Sequence, residues 1–100
     1  MIERLLGVAP AGVVPSFYRS GAGAEIDLLL TWPTGEHWAI EIKRSTAPKV
    51  EQGFHSACAD IQPSRKWLVY PGAEAYPMRD GIEAMPLQVA MQTLAVGAGK

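Results

Sequence analysis

Apolar and polar residues alternate from His37 to Lys43, with Trp38, Ile40 and Ile42 set against Ala39, Glu41 and Lys43. That is the period of a half-buried strand. Ala24 to Trp32 is a second strong strand, and Pro33-Thr34-Gly35 between the two reads as a tight hairpin loop. Ser16 to Arg19 is a shorter strand, set off by the Gly21-Ala22-Gly23 turn. After Pro48 the period lengthens. Val50, Phe54, Ala57, Cys58 and Ile61 recur at helical spacing, which predicts an amphipathic helix from Lys49 to about Ile61, ended by Pro63. Lys66 to Tyr70 is a buried strand closed by Pro71-Gly72, and Ile82 to Met85 a short edge strand. Pro86 then opens a final helix with Leu87, Met91 and Leu94 inward. At the start, Ile2 to Leu6 reads as the end of a helix with Gly7 as C-cap. So short a helix is marginal alone, so the chain is expected to begin inside an element that is longer in a parent protein. The order of elements predicts an α/β fold, a mixed central sheet with flanking helices.

Composition narrows this picture. With 100 residues, 48% apolar and 19% charged, the chain has the make-up of one globular domain, residues 1–100, with one core. No apolar run approaches the roughly 20 residues of a spanning helix; the best, Ile26 to Trp32, contains Asp27 and stops at Pro33. No basic segment precedes an apolar one at the start, and Cys58 has no second cysteine to pair with. Both facts fit a cytoplasmic protein. The net charge of −1 argues against tight, sequence-independent binding of nucleic acid, which draws on a basic excess. The terminal Gly97-Ala98-Gly99-Lys100 lacks the upstream glycine and following hydroxyl of a phosphate loop, so it reads as a frayed tail.

The candidate chemistry sits on the hairpin. Proline sets the first position of a three-residue loop and Gly35 the left-handed last one, which pairs Trp32 with Glu36. Counting back, Asp27 falls opposite Glu41 and Glu25 opposite Lys43, all four on one face. Ile26, Leu28 and Leu30 with Trp38, Ile40 and Ile42 form the other, apolar face. Two carboxylates about 4 Å apart repel by about 4 kcal/mol at an effective dielectric of 20. A hard cation such as Mg²⁺ relieves this, because it binds through one or two carboxylates and keeps its waters. Lys43 beside it would orient a water, stabilise transition-state charge or help take a proton. The competing explanation is a solvated strand face on which Glu25, Glu36 and Lys43 make ordinary surface pairs.

Gly23-Ala24-Glu25-Ile26-Asp27 followed by Ala39-Ile40-Glu41-Ile42-Lys43-Arg44-Ser45 resembles the core motif of the PD-(D/E)XK, or restriction-endonuclease-like, nucleases. Taken with Ser16-Phe17-Tyr18-Arg19, Lys49-Val50 and Gly53-Phe54, it looks like the C-terminal domain of unknown function on many prokaryotic AAA-type ATPases. The resemblance covers most of the chain. It implies a nuclease-like fold behind an N-terminal ATPase domain, with Mg²⁺ as cofactor and DNA as partner. Asp27 and Glu41 would then be metal ligands, with the Ile42 carbonyl near the same ion and Lys43 as catalytic lysine. Many relatives add an acidic residue from the first helix, a role for which Glu3 is the candidate. Glu25 is a further ligand or the partner of Lys43, the second reading being preferred.

Weaker signals have blander explanations. Arg44, Lys49, Arg65 and Lys66 would form either a phosphate-facing edge or a solvated surface. His55 and Cys58 stand three apart on the predicted helix, but zinc needs more ligands than an isolated His37 supplies. Gln52 reads as exposed in preference to a polar residue facing the site, Tyr18 and Arg19 as facing the site or, for Tyr18 equally, as core, and Trp32, Trp38 and Trp67 as sheet packing. Two functions follow: Mg²⁺-dependent phosphodiester hydrolysis, or a catalytically silent module of this fold used for DNA sensing or protein interaction.

Overall fold

A computed structural model describes residues 2–46 and 49–97; Pro48 and the end of the Gly97-Ala98-Gly99-Lys100 tail lie outside the described residues. The hairpin loop forms as its sequence dictates. The Trp32 amide donates to the Glu36 carbonyl (2.9 Å) and the Gly35 amide to the Trp32 carbonyl (2.8 Å). Gly35 has φ +95°, a conformation that a Cβ would strain. Strands β2 (Glu25–Thr31) and β3 (His37–Ile42) follow in the expected register, Leu28 with Ile40 and Leu30 with Trp38.

Around this hairpin lie α1 (Ile2–Val8) and β1 (Val14–Arg19) before it, and α2 (Gln52–Ile61), β4 (Arg65–Tyr70), β5 (Tyr76–Pro77), β6 (Ile82–Pro86) and α3 (Leu87–Gly97) after it. They build a six-stranded sheet ordered β1-β2-β3-β4-β6-β5. β3, β4 and β6 run parallel, and α2 supplies the crossover that the parallel β3–β4 pair requires. Helices cover both faces. Leu5 of α1 and Ala90 and Leu94 of α3 pack on Leu28, Leu30, Ile40, Trp67 and Val69. Phe54, Ala57 and Cys58 of α2 pack on Ala39, Leu68, Tyr70 and Ala84. The tryptophans stack within the first core, Trp32 to Trp38 at 4.3 Å and Trp38 to Trp67 at 5.3 Å between ring centroids.

Several details differ from the sequence pattern. Gly7 lies inside α1 rather than capping it. β6 is an interior strand, because β5, a two-residue strand across Tyr76 and Pro77, takes the edge. The third difference shapes the site. Between β1 and β2, Ser16 pairs with Leu29 but Tyr18 pairs with Ile26, so Asp27 and Leu28 together oppose Phe17. This bulge turns Ile26 onto the α2 side with Leu29 and away from Leu28 and Leu30.

α2 begins at Gln52 rather than Lys49, with Glu51 extended before it at φ −76° and ψ 149°. Its first turn lies hard against the turn that precedes β2. A Cβ built on Gly53 would sit 2.5 Å from the Gly23 carbonyl oxygen, a contact with backbone that cannot swing away. Gly53→Ala is therefore expected to lower stability by about 1–3 kcal/mol in urea unfolding. An unchanged midpoint would show that the helix start is free to shift.

Candidate metal centre at the end of the central hairpin

The bulge carries β2 away from β3 just where the regular pairing of the hairpin would continue. In the register of Trp32 with Glu36, the Ile42 amide would next meet the Ile26 carbonyl. It donates instead to Asp27 Oδ2 at 2.9 Å. A side-chain carboxylate thus replaces a backbone acceptor and is fixed between the strands. The Lys43 amide donates to the Val69 carbonyl on the other side, at 2.9 Å. Backbone alternation then turns both the N–H and the C=O of Ile42 toward β2 and Asp27, the direction in which a carbonyl ligand is needed.

Glu41 is the next carboxylate along, and it is buried, with 5% of its surface exposed. Its Oε2 meets Lys43 Nζ at 3.1 Å, while its Oε1 has no hydrogen-bond partner and no solvent contact. The indole nitrogens of Trp32 and Trp67 are also unpartnered, but they are neutral; a carboxylate oxygen is far more costly to strand. Burial pushes the Glu41 carboxyl above its ordinary value of 4.5; the bond to Lys43 and, more weakly, the Glu51 backbone amide oppose the rise, and the Asp27 charge adds to it.

Lys43 is held from two sides, by Glu41 at 3.1 Å and by Glu51 Oε2 at 2.8 Å. Burial alone would lower its pKa, but the bonds to Glu51 and Glu41 outweigh that and hold it above 10.5. The same bond depresses Glu51 below the ordinary glutamate value. Lys43 is therefore a fixed cation in this arrangement. Glu25 is not its partner, contrary to the register expectation. The bulge diverts Glu25 outward, where it pairs with Arg19 at 3.6 Å.

A cleft of about 430 Å³ collects Glu25, Asp27, Glu41, Lys43 and Glu51. Four carboxylates against one ammonium make it a cation-attracting hollow. Asp27 and Ile42 also line an adjoining groove of about 570 Å³ with Glu3, Phe17, Arg19 and Arg44. Glu3 thus stands on the far side of Asp27 and does not line the cleft that holds Glu41. Among the described residues no three His, Cys, Asp or Glu converge as a ready ligand cluster. The residues fit a hydrated Mg²⁺ on two carboxylates with a stranded oxygen at hand, not a dry, fully ligated ion.

The other candidates separate from this site. Arg65 and Lys66 pair with Trp38 and Ala39 at the far end of β3, and Arg65 stacks on the Trp38 ring at 4.8 Å. His55 meets Asp80 at 3.6 Å, burial pushes the Cys58 thiol up to about 11, and among the described residues no group of three His, Cys, Asp or Glu gathers round the pair. Tyr18 donates to Asp60 at 3.1 Å, and Gln52 is exposed beside Ser56. Glu51 is the residue that the sequence pattern missed. It stands eight positions from Lys43, after β3 and before α2, where no sequence periodicity links the two.

Residues 2–90 match the model of a domain of unknown function, DUF4143. Two curated relatives match over 80 residues at 32% identity: the uncharacterised proteins Rv2008c of Mycobacterium tuberculosis and Mb2031c of Mycobacterium bovis. The match covers 80% of this chain and only 18% of each relative. No solved structure matches. The chain belongs to the DUF4143 family.

Glu41 makes a testable demand on stability. Its folded carboxyl binds a proton more readily than the unfolded one, so its contribution is full below about pH 4.5 and is lost as pH rises through the higher folded value. In chelator at neutral pH, Glu41→Gln is expected to be as stable as the wild type or more so, and the difference should vanish on acidification. Lys43→Ala, which strands the carboxylate, is expected to cost about 1–3 kcal/mol. A Glu41→Gln protein less stable than the wild type at neutral pH would show that the charge is well accommodated as it stands.

Proposed function

We propose that this DUF4143 domain is a PD-(D/E)XK nuclease-like module of restriction-endonuclease-like fold, which hydrolyses DNA phosphodiester bonds with Mg²⁺. The observation that carries the reading is the buried Glu41 carboxylate, stranded at Oε1 beside the strand-bridging Asp27. Neutral or apolar residues of similar size would often be as stable or more stable there, which supports a role for the charge beyond packing.

In this reading Asp27 and Glu41 hold the ion, and the Ile42 carbonyl faces the same space. Mg²⁺ supplies Lewis-acid charge at a phosphoryl oxygen and lowers the pKa of water. Water adds to phosphorus, the bond to the leaving oxygen breaks, and that oxygen takes up a proton. Lys43, beside Glu41 at 3.1 Å, would stabilise negative charge on the phosphoryl group, orient the attacking water or help take its proton. An AAA-type ATPase domain in the parent chain would complete the protein, consistent with relatives of which the matched part is 18%.

A second reading has its own support. The net charge of −1 and the four carboxylates of the cleft offer a polyanion little grip, as suits a catalytically silent module for DNA sensing or protein interaction. Single-stranded, double-stranded and branched DNA incubated with Mg²⁺ or Mn²⁺ discriminates the two. Cleavage is expected, abolished by Asp27→Asn and reduced about 100-fold or more by Lys43→Ala. Cleavage that survives both substitutions, or none with any substrate and either ion, would leave the silent module as the reading.

A further inference from the structure

We infer that Glu51 is a positioning residue for Lys43: it holds the ammonium over the cleft so that a cation can take Glu41 without Lys43 collapsing onto it. The inference rests on the nuclease reading for what Lys43 does there. In the resting arrangement Lys43 Nζ bridges Glu41 Oε2 at 3.1 Å and Glu51 Oε2 at 2.8 Å, the shorter contact being to Glu51. Without Glu51, the lysine would have Glu41 as its anchor and would compete for the carboxylate that the ion needs. With it, the lysine keeps a partner when Glu41 turns to the ion.

Glu51 is placed for this by backbone rather than by its own packing. Its side chain is 66% exposed, so it is not buried for stability. It stands one residue before α2, and the Phe54 and His55 amides return to its carbonyl at 3.1 and 3.3 Å. Two residues on, Gly53 lies against the Gly23 carbonyl with no room for a side chain. The turn before β2 and the start of α2 are thereby locked together, and Glu51 faces the end of β3. Glu51 also lines the same cleft as Asp27 and Glu41. An exposed ion pair alone would contribute little to stability, so its geometry points to a role at the site.

The test uses the whole chain with Glu51→Gln and Glu51→Asp. By NMR, the wild-type Lys43 ammonium should give an observable, slowly exchanging signal that disappears in Glu51→Gln and survives in Glu51→Asp. In DNA hydrolysis, Glu51→Gln should lower kcat about 10-fold or more with KM changed less than twofold, Glu51→Asp restoring much of it. Mn²⁺ affinity, read by calorimetry, should fall far less in Glu51→Gln than in Glu41→Gln. An ammonium signal unchanged in Glu51→Gln would overturn the inference. So would an equal loss of Mn²⁺ affinity in the two variants, which would make Glu51 a ligand instead. A wild-type chain without hydrolysis would sink the nuclease reading, and the ammonium signal and Mn²⁺ affinity would still decide what Glu51 does.

Discussion

A carboxylate that is buried and half-satisfied beside a second carboxylate is the constraint around which this domain is arranged. Glu41 sits on the third strand with apolar neighbours on both sides and one oxygen without a partner. Removing such a charge from water costs several kcal/mol, and the lysine at 3.1 Å, with the Glu51 backbone amide, offsets only part of that. The surrounding features each address the same problem. The bulge at Asp27 and Leu28 opens the sheet, Asp27 takes the freed Ile42 amide, and Lys43 caps the hollow with Glu51 behind it.

The sandwich of helices makes the constraint tolerable. Tight packing of Leu28, Leu30 and Ile40 under α1 and α3, and of Ala39 under α2, keeps β3 rigid up to its last residues. The hairpin loop then fixes the register from one end, so both carboxylates line one cleft at the other end, where the sheet opens. Rigidity on one side and divergence on the other is the combination a pre-organised ion site needs.

Much of this was legible in the sequence where a local rule acts alone. Pro33-Thr34-Gly35 fixed the loop, and the period of two along β3 separated Trp38 and Ile40 from Glu41. The bulge was not legible, because Ala24 to Trp32 carries no residue that marks an insertion; it arises only when β1 pairs across β2. Its consequence was the wrong face for Ile26 and the wrong partner for Lys43. Glu51 escaped notice because its meeting with Lys43 is tertiary, set by Gly53 against Gly23 rather than by any spacing. β5 escaped because two residues, one of them a proline, give no strand period.

A divalent cation held by Asp27 and Glu41 together, as proposed, would show itself in a crystal soaked in Mn²⁺. An anomalous peak is expected about 2.1 Å from oxygens of both residues, with Lys43 withdrawn from Glu41 onto Glu51. A fully soaked crystal with no peak there, and Lys43 still on Glu41, would contradict it.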